Sequence, residues 1–344
     1  MKDSKVLIVT TAHDAEDGRL IRHMNALIRN GILAEILSIY TANRVNRFIL
    51  GPLKAYLKIR RLKPDCVILP DPELQLFLPF ILKNRTVVVV DVHEAYELVV
   101  EDRLWIRNWY RPFVKFFTSI LVSARNRWAD IVLIADASIG ENVEVLVSNR
   151  PSPLDLPPLR SPDFPFRLVY VGDIRASRGL QEMLSLIEMT PEVHLDLIGP
   201  CEESENLLNA IEGRGLSKRI TWHGRLPYRK SWEIASSSIA GLCLLRPTPA
   251  FVNAIPTKIW EYWAVGIPVL GSKLPAQTRL IEESGGGFVG EVEDLSLRVL
   301  TFIQNPMSAR GIGEIGRRYY EIHDDGSEIR LVDAIQEVIN KKNS

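Results

Sequence analysis

TVVVVDV, residues 86–92, has no polar face. A strand wet on one side alternates apolar and polar residues, so five valines broken only by one aspartate describe a strand covered on both faces. Runs of the same kind recur in KVLIVT (5–10), AEILSI (34–39), CVILP (66–70), IVLIA (131–135) and VEVLVS (143–148). Helix-period segments separate them: one from about Arg19, one ahead of Lys63, one over Glu73 to Leu82 and a long one before IVLIA. Apolar strands alternating with helices predict a parallel sheet between two helical layers. Residues 1–150 are therefore expected to form a Rossmann-like domain.

The pattern is interrupted by NRPSPLDLPPLRSPDFPF, residues 149–166, whose six prolines exclude a helix and a central strand. Residues 151–166 read as a linker. The alternation then restarts with RLVYVG (167–172), VHLDLIG (193–199), RITWHG (219–224), IAGLCLL (239–245), IPVLGS (267–272) and GGFVG (286–290), with helices between, one of them from Arg178. A second Rossmann-like domain over 167–322 follows. Terminal helices are expected beyond residue 293, with Gly311, Gly313 and Gly326 as breaks, and residues 323–344 as a last helix that could cross back to the first domain.

A chain of 344 residues exceeds what one core usually supports, in keeping with two domains. The 42 basic and 42 acidic residues balance, so composition does not ask for nucleic acid. Up to Arg150 the chain carries 21 basic and 17 acidic residues, which leaves the first half net positive and the second net negative. Cys66, Cys201 and Cys243 lack the paired spacing of a zinc or redox site, and no apolar run reaches the length of a membrane span. A cytoplasmic protein is expected, attached to a membrane at most from one side.

Ligands of open parallel sheets bind beyond the carboxyl ends of the strands. Polar residues gather there: His13, Asp17 and Arg19 after the first strand, His93 and Glu94 after TVVVVDV, and Asp173, Arg175 and Arg178 after RLVYVG. Arg178 stands just before Gly179 and a helix, where an anion would meet a guanidinium and a helix N-terminus together. In IPTKIWEYWAVGIPVLGS, residues 255–272, Lys258 and Glu261 share one helix face beside the apolar Ile259, Tyr262 and Trp263. A solvated pair and a ligand-facing pair are both open for them. Neither GxGxxG nor GxxxxGK follows the first strand, which argues against a dinucleotide oxidoreductase or a P-loop enzyme. No Asp-x-Asp motif is present to hold a metal.

Two stretches are basic without acidic residues, 44–63 and 103–127. In the second, Arg103, Arg107, Arg111 and Lys115 recur every four residues among Trp105, Trp109, Tyr110, Phe113, Phe116 and Phe117. That combination suits a helix on an anionic membrane surface. In the first, Lys54, Lys58 and Arg61 read as a wet stripe on a packed helix.

VGDIRASRGLQEML (171–184) and PTKIWEYWAVGIPVLGS (256–272), with HDAEDGRL (13–20) and DVHE (91–94), resemble the family 4 retaining glycosyltransferases. The resemblance implies the GT-B fold, an α/β architecture of two Rossmann-like doubly wound domains facing across a cleft, with C-terminal helices. It implies that the first domain binds the acceptor and the second a UDP- or GDP-linked sugar, with no tightly bound cofactor and no metal requirement. Glu261 would accept from the ribose hydroxyls, Arg178 and Lys258 would serve the diphosphate and the leaving group, and His93 would contact the donor sugar. Arg175 would assist where Asp173 replaces a basic residue. Asn253 stands where the family often has a second glutamate, and a branch with PxKxxEY also lacks it. His13, Asp17, Arg19 and Glu94 would lie on the acceptor side.

The function expected is sugar transfer to a lipid-linked or other envelope glycan precursor at the inner membrane face. A non-hydrolysing sugar-nucleotide epimerase shares the two-domain plan, and a catalytically inactive transferase-like scaffold would fit Asn253.

Overall fold

The computed structural model describes residues 4–12, 15–39, 44–75, 78–82, 86–92, 111–135, 144–152, 155–157, 160, 166–249, 251–323 and 326–343. The chain divides into two compact units, Met1–Asn149 with Asp325–Ser344, and Arg150–Asp324.

The first unit runs β1 (Lys5–Thr10), α1 (Gly18–Arg29), β2 (Leu33–Ser38), α2 (Arg44–Leu62), β3 (Cys66–Leu69), α3 (Pro72–Gln75), α4 (Leu78–Leu82), β4 (Val87–Val92), α5 (Arg111–Trp128), β5 (Ile131–Ile134) and β6 (Glu144–Leu146). Its sheet is parallel, in the order β2-β1-β3-β4-β5-β6. β4 shows why a valine run was needed. Val87 and Val89 enter one apolar cluster with Ile8 and Leu27, and Val88 enters another with Leu7, Ala55 and Leu74. Helical turns stand at both ends of the stretch from Glu73 to Leu82, as α3 and α4, and residues 76–77 lie outside the described residues.

A last helix, α13 (Ser327–Asn343), completes this unit. Its Leu331, Val332, Ile335 and Ile339 are buried in the cluster that holds Val87 and Val89. Polar contacts fix it there: Glu328 pairs with Arg29 at 2.7 Å, Arg330 Nε donates to Leu146 O at 2.7 Å, and Lys342 Nζ reaches Asp130 at 2.9 Å.

The second unit runs β7 (Arg167–Val171), a 3-10 turn (Ala176–Arg178), α6 (Leu180–Met189), β8 (His194–Ile198), α7 (Ser204–Gly213), β9 (Ile220–Gly224), α8 (Tyr228–Ala235), β10 (Ala240–Cys243), α9 (Thr257–Ala264), β11 (Val269–Gly271), α10 (Pro275–Ser284), β12 (Gly287–Val289), α11 (Val292–Gln304) and α12 (Pro306–Ile322). Its parallel sheet has the order β12-β11-β10-β7-β8-β9, so the direction of winding reverses between β7 and β10. Part of the proline-rich stretch packs into this unit: Leu156 joins its core, and Tyr320 Oη donates to Pro151 O.

Gly311 and Gly313 do not break the chain. Both lie inside α12, and Gly326, at φ 65°, stands immediately before α13. A Cβ on Gly313 would stand 2.1 Å from Gly266 O, and one on Gly316 would stand 2.3 Å from the Trp263 ring. These glycines flatten one helix face so that α12 can press against α9 and the turn that follows it. The requirement is for space, not for a special dihedral.

Candidate functional site

In the second unit the ends of β7 and β10 form the topological switch point, the place where an open parallel sheet leaves room for a ligand. The chain leaving β7 runs close beside the chain leaving β10. Gly179 adopts φ 86°, and a Cβ there would lie 1.8 Å from Leu244 O, so only glycine permits this approach. Arg246 N donates to Ser177 O at 3.0 Å, and Arg246 Nε donates to Glu182 at 2.8 Å. The expected helix start at Arg178 is displaced: Arg178 ends the 3-10 turn, and α6 opens at Leu180 after Gly179.

Five charged groups singled out from the sequence come together here: Asp173, Arg175, Arg178, Lys258 and Glu261. Arg178 is half-buried, its guanidinium carbon 5.5 Å from the centre of the Phe251 ring. Arg175 pairs with Asp173. Lys258 and Glu261 are not a surface pair, for they are only 6% and 7% exposed. The α9 backbone carrying them is anchored by Tyr262, whose hydroxyl accepts from Val171 N at 3.1 Å and donates to Leu242 O at 3.3 Å. Asn253 is exposed, in the turn between Thr248 and Ala254.

Lys258 Nζ lies 3.6 Å from the centre of the Tyr170 ring, and a Cβ on Gly172 would come within 3.0 Å of it. Burial pulls its pKa down to about 7, and Arg178 adds repulsion, while Cys243, Glu261 and Asp173 pull the other way. The Cys243 thiol, pushed up to about 11 mainly by burial, is neutral at pH 7. Lys258 Nζ, Arg178 Nε and Arg175 Nε are all buried atoms without a hydrogen-bond partner among the described residues. Buried N–H groups are normally paired. Three donors of one sign at a switch point suit an anion with several oxygens.

Glu261 takes a different partner. Its Oε1 accepts from the Tyr228 hydroxyl at 2.9 Å. Tyr228 opens α8 just after β9 and was not among the residues singled out from sequence. The strand-end rule that picked out Arg178 points to it as well.

In the first unit the picture differs. Asp17 caps α1, its carboxylate accepting from Arg19 N at 3.0 Å. Arg19, expected on the acceptor side, turns into the core instead. It pairs with Asp91, the single charged residue of TVVVVDV, and with Asn149, while His23 Nε2 lies 3.2 Å from Asp91. Burial pushes Asp91 up, but Arg19 and His23 outweigh it and hold the carboxyl well below the usual range. Burial in turn lowers the pKa of His23. His13, His93 and Glu94 lie outside the described residues.

The loop after β1 is also occupied by its own chain. Thr11 N and Ala12 N donate to Asp71 Oδ2 at 2.5 and 3.0 Å, and Thr10 Oγ1 donates to it at 2.8 Å. In a dinucleotide-binding fold these amides would serve a phosphate. Among the described residues no cluster of three or more His, Cys, Asp or Glu is placed to hold a metal ion.

Residues 154–319 match the family model for glycosyl transferases group 1. Over nearly its full length the chain is similar in fold to HepE (Alr3699) of Anabaena, solved in complex with UDP and glucose. The TM-score is 0.68 at 15% identity, over 98% of this chain and 100% of that one. For sucrose-phosphate synthase of Thermosynechococcus elongatus the TM-score is 0.70 at 14% identity, over 99% of this chain and 100% of that one. WaaG, a glycosyltransferase involved in lipopolysaccharide biosynthesis, gives 0.63 at 12% identity, over 98% and 100%. No curated protein matches the sequence. The chain thus has two parallel six-stranded sheets in the GT-B plan of these solved structures, and its second unit carries the match to the glycosyl transferases group 1 family.

Proposed function

We propose that the second unit binds a nucleoside-diphosphate sugar, UDP- or GDP-linked, with the diphosphate against Lys258, Arg178 and Arg175 and the ribose against Glu261. The observation that carries this reading is the convergence of three buried, unpartnered basic N–H groups at the β7/β10 switch point, one helix turn from a buried carboxylate. The UDP and UDP-glucose complexes of HepE support the choice of donor class. A nucleotide sugar already contains a good leaving group, so the site must stabilise charge on the departing diphosphate and hold the sugar in place. Lys258 and Arg178 supply that charge from the protein. His93 is assigned to the sugar, and His13, Asp17 and Glu94 to the acceptor side, by resemblance alone, as is retention at the anomeric carbon.

Thermal stabilisation across a panel of nucleotide sugars identifies the donor, since a ligand stabilises in proportion to its binding. With that donor, Glu261→Ala is expected to weaken binding about 10- to 150-fold, the loss of one hydrogen bond to a charged group. A melting temperature within a few degrees of wild type shows that the fold survives. Equal affinity of variant and wild type removes Glu261 from the ribose. Transfer or donor hydrolysis over the same panel separates an active enzyme from a binding scaffold, the distinction raised by Asn253.

The acceptor is proposed to be a lipid-linked or other envelope glycan precursor reached at the inner membrane face, as in polysaccharide biosynthesis. The support lies on α2, which is apolar on two opposite sides. Gly51, Ala55 and Ile59 are buried, whereas Ile49, Leu53 and Leu57, half a turn away, are 67%, 54% and 57% exposed. Lys54, Lys58 and Arg61 are exposed alongside them. The basic stripe, expected to be merely wet, thus runs beside a second apolar side that charge spacing alone does not reveal.

On α5, Phe113 and Phe116 are each 62% exposed, while residues 103–110 and the side chains of Arg111, Lys115 and Phe117 lie outside the described residues. No described helix is long and apolar enough to cross a membrane. An apolar stripe flanked by lysines suits the surface of an anionic bilayer. Vesicles containing phosphatidylglycerol should retain the protein at low salt and release it at high salt, and Ile49→Glu with Leu53→Glu should abolish retention. Retention of the double variant at wild-type level would take the contact away from α2.

A further inference from the structure

The bond from Tyr228 to Glu261 joins two exits of the second sheet that neighbour neither each other nor the same strand. Tyr228 is the first residue of α8, on the path out of the edge strand β9, whereas Glu261 stands on α9, which follows β10. The 2.9 Å hydroxyl–carboxylate bond is backed by ring contacts. Tyr228 meets Trp232 edge to face at 6.2 Å, and Trp232 meets Tyr262 edge to face at 5.5 Å. Trp232 and Tyr262 are fully buried, and Tyr262 is held by the backbone of β7 and β10. The α9 backbone is thereby fixed from the sheet, and the glutamate side chain is fixed from α8. A glutamate has three rotatable bonds, and a ligand that must freeze them loses affinity. A hydroxyl that already holds one carboxylate oxygen removes much of that loss.

We propose that Tyr228 is a positioning residue for the ribose-binding carboxylate. Donating to Glu261 Oε1, it holds the group in the orientation that accepts a ribose diol. The first turn of α8 then contributes to selection of ribonucleotides through Glu261, without touching the reacting atoms. This rests on the reading of Glu261 as the ribose ligand. Sequence carries no sign of the pairing, because the partners are 33 positions apart on different helices.

The test compares UDP-glucose and GDP-mannose with their 2′,3′-dideoxyribose counterparts, by calorimetry, on wild type, Tyr228→Phe and Glu261→Ala. Phenylalanine keeps the ring contacts and removes only the hydroxyl. Tyr228→Phe is expected to weaken binding of the ribonucleotide sugar about 5- to 10-fold, less than the loss of a hydrogen bond to a charged group because the effect passes through Glu261, and to leave the dideoxy compound unchanged. A loss shared equally by both compounds means that the hydroxyl only supports packing, and no loss with either means that it does nothing for Glu261. Both results overturn the proposal. If Glu261→Ala leaves the preference for ribose over dideoxyribose as in wild type, the assignment of Glu261 fails first and takes this one with it. Failure of every UDP- and GDP-linked sugar of the panel to bind removes the donor reading itself.

Discussion

Between pH 6 and pH 9 the affinity of the protein for its best-bound nucleotide sugar falls on the order of 50-fold, with the bend near the free-state pKa of Lys258. That pKa is depressed to about 7, chiefly by burial. In the free protein the side chain is charged below pH 7 and neutral above it. A diphosphate against Nζ favours the ammonium form, so binding above pH 7 must bring a proton in with the ligand. Each unit of pH then weakens binding up to tenfold, while below pH 6 the profile is flat. The diphosphate itself has no group titrating in this range.

Lys258→Arg keeps the charge at every pH and should flatten the profile. Calorimetry at pH 8 in buffers of different ionisation enthalpy should show close to one proton taken up by wild type and none by the arginine variant. A flat wild-type profile with intact binding would show that Lys258 does not meet the anion. The same shift bears on the unliganded fold with a definite sign. The unfolded chain binds the proton up to the ordinary lysine value and the folded chain only up to about 7. Lys258 therefore adds stability above its unfolded pKa, and that stability is lost as the pH falls through about 7.

Arg178→Ala is expected to weaken nucleoside diphosphate binding about 30- to 150-fold, the 2–3 kcal/mol of a charge-assisted hydrogen bond, and to leave the nucleoside alone within twofold. Arg178 meets Phe251 through its ring face and leaves Nε unpaired, so the fold needs its guanidinium little. The turnover rate should fall more than donor affinity, because charge on the diphosphate grows as the glycosidic bond breaks. The pair of affinities decides the matter. An equal loss for diphosphate and nucleoside places Arg178 away from the phosphates.

The second sheet was legible from sequence because its strands are apolar on both faces and its exits carry charge. RLVYVG and IAGLCLL mark β7 and β10, and the charged residues that follow them mark the switch point. Burial of Lys258 and Glu261 was not legible. Their spacing along a helix fits a wet face as well as a dry one, and only Tyr170, Tyr228 and the approach of two strand exits decide between them. Arg19 misled for the opposite reason. Its polar neighbourhood in HDAEDGRL looks like a site, but its partner Asp91 sits in the middle of a valine run, 72 positions away. The glycines of α12 misled because sequence shows that a side chain is missing and does not show what fills the space.

The closing helix α13 carries a consequence for how the protein is made. Leu331, Val332, Ile335 and Ile339 are core residues of a unit whose other residues all precede Arg150. On the ribosome the first unit emerges first but waits for α13 with one flank of its sheet uncovered, while Arg150–Asp324 already holds every strand of its own. The order of completion is the reverse of the order of synthesis. Whatever shields the exposed flank of Val87 and Val89 in that interval, chaperone or nascent chain, is guarding a surface that the mature protein never shows.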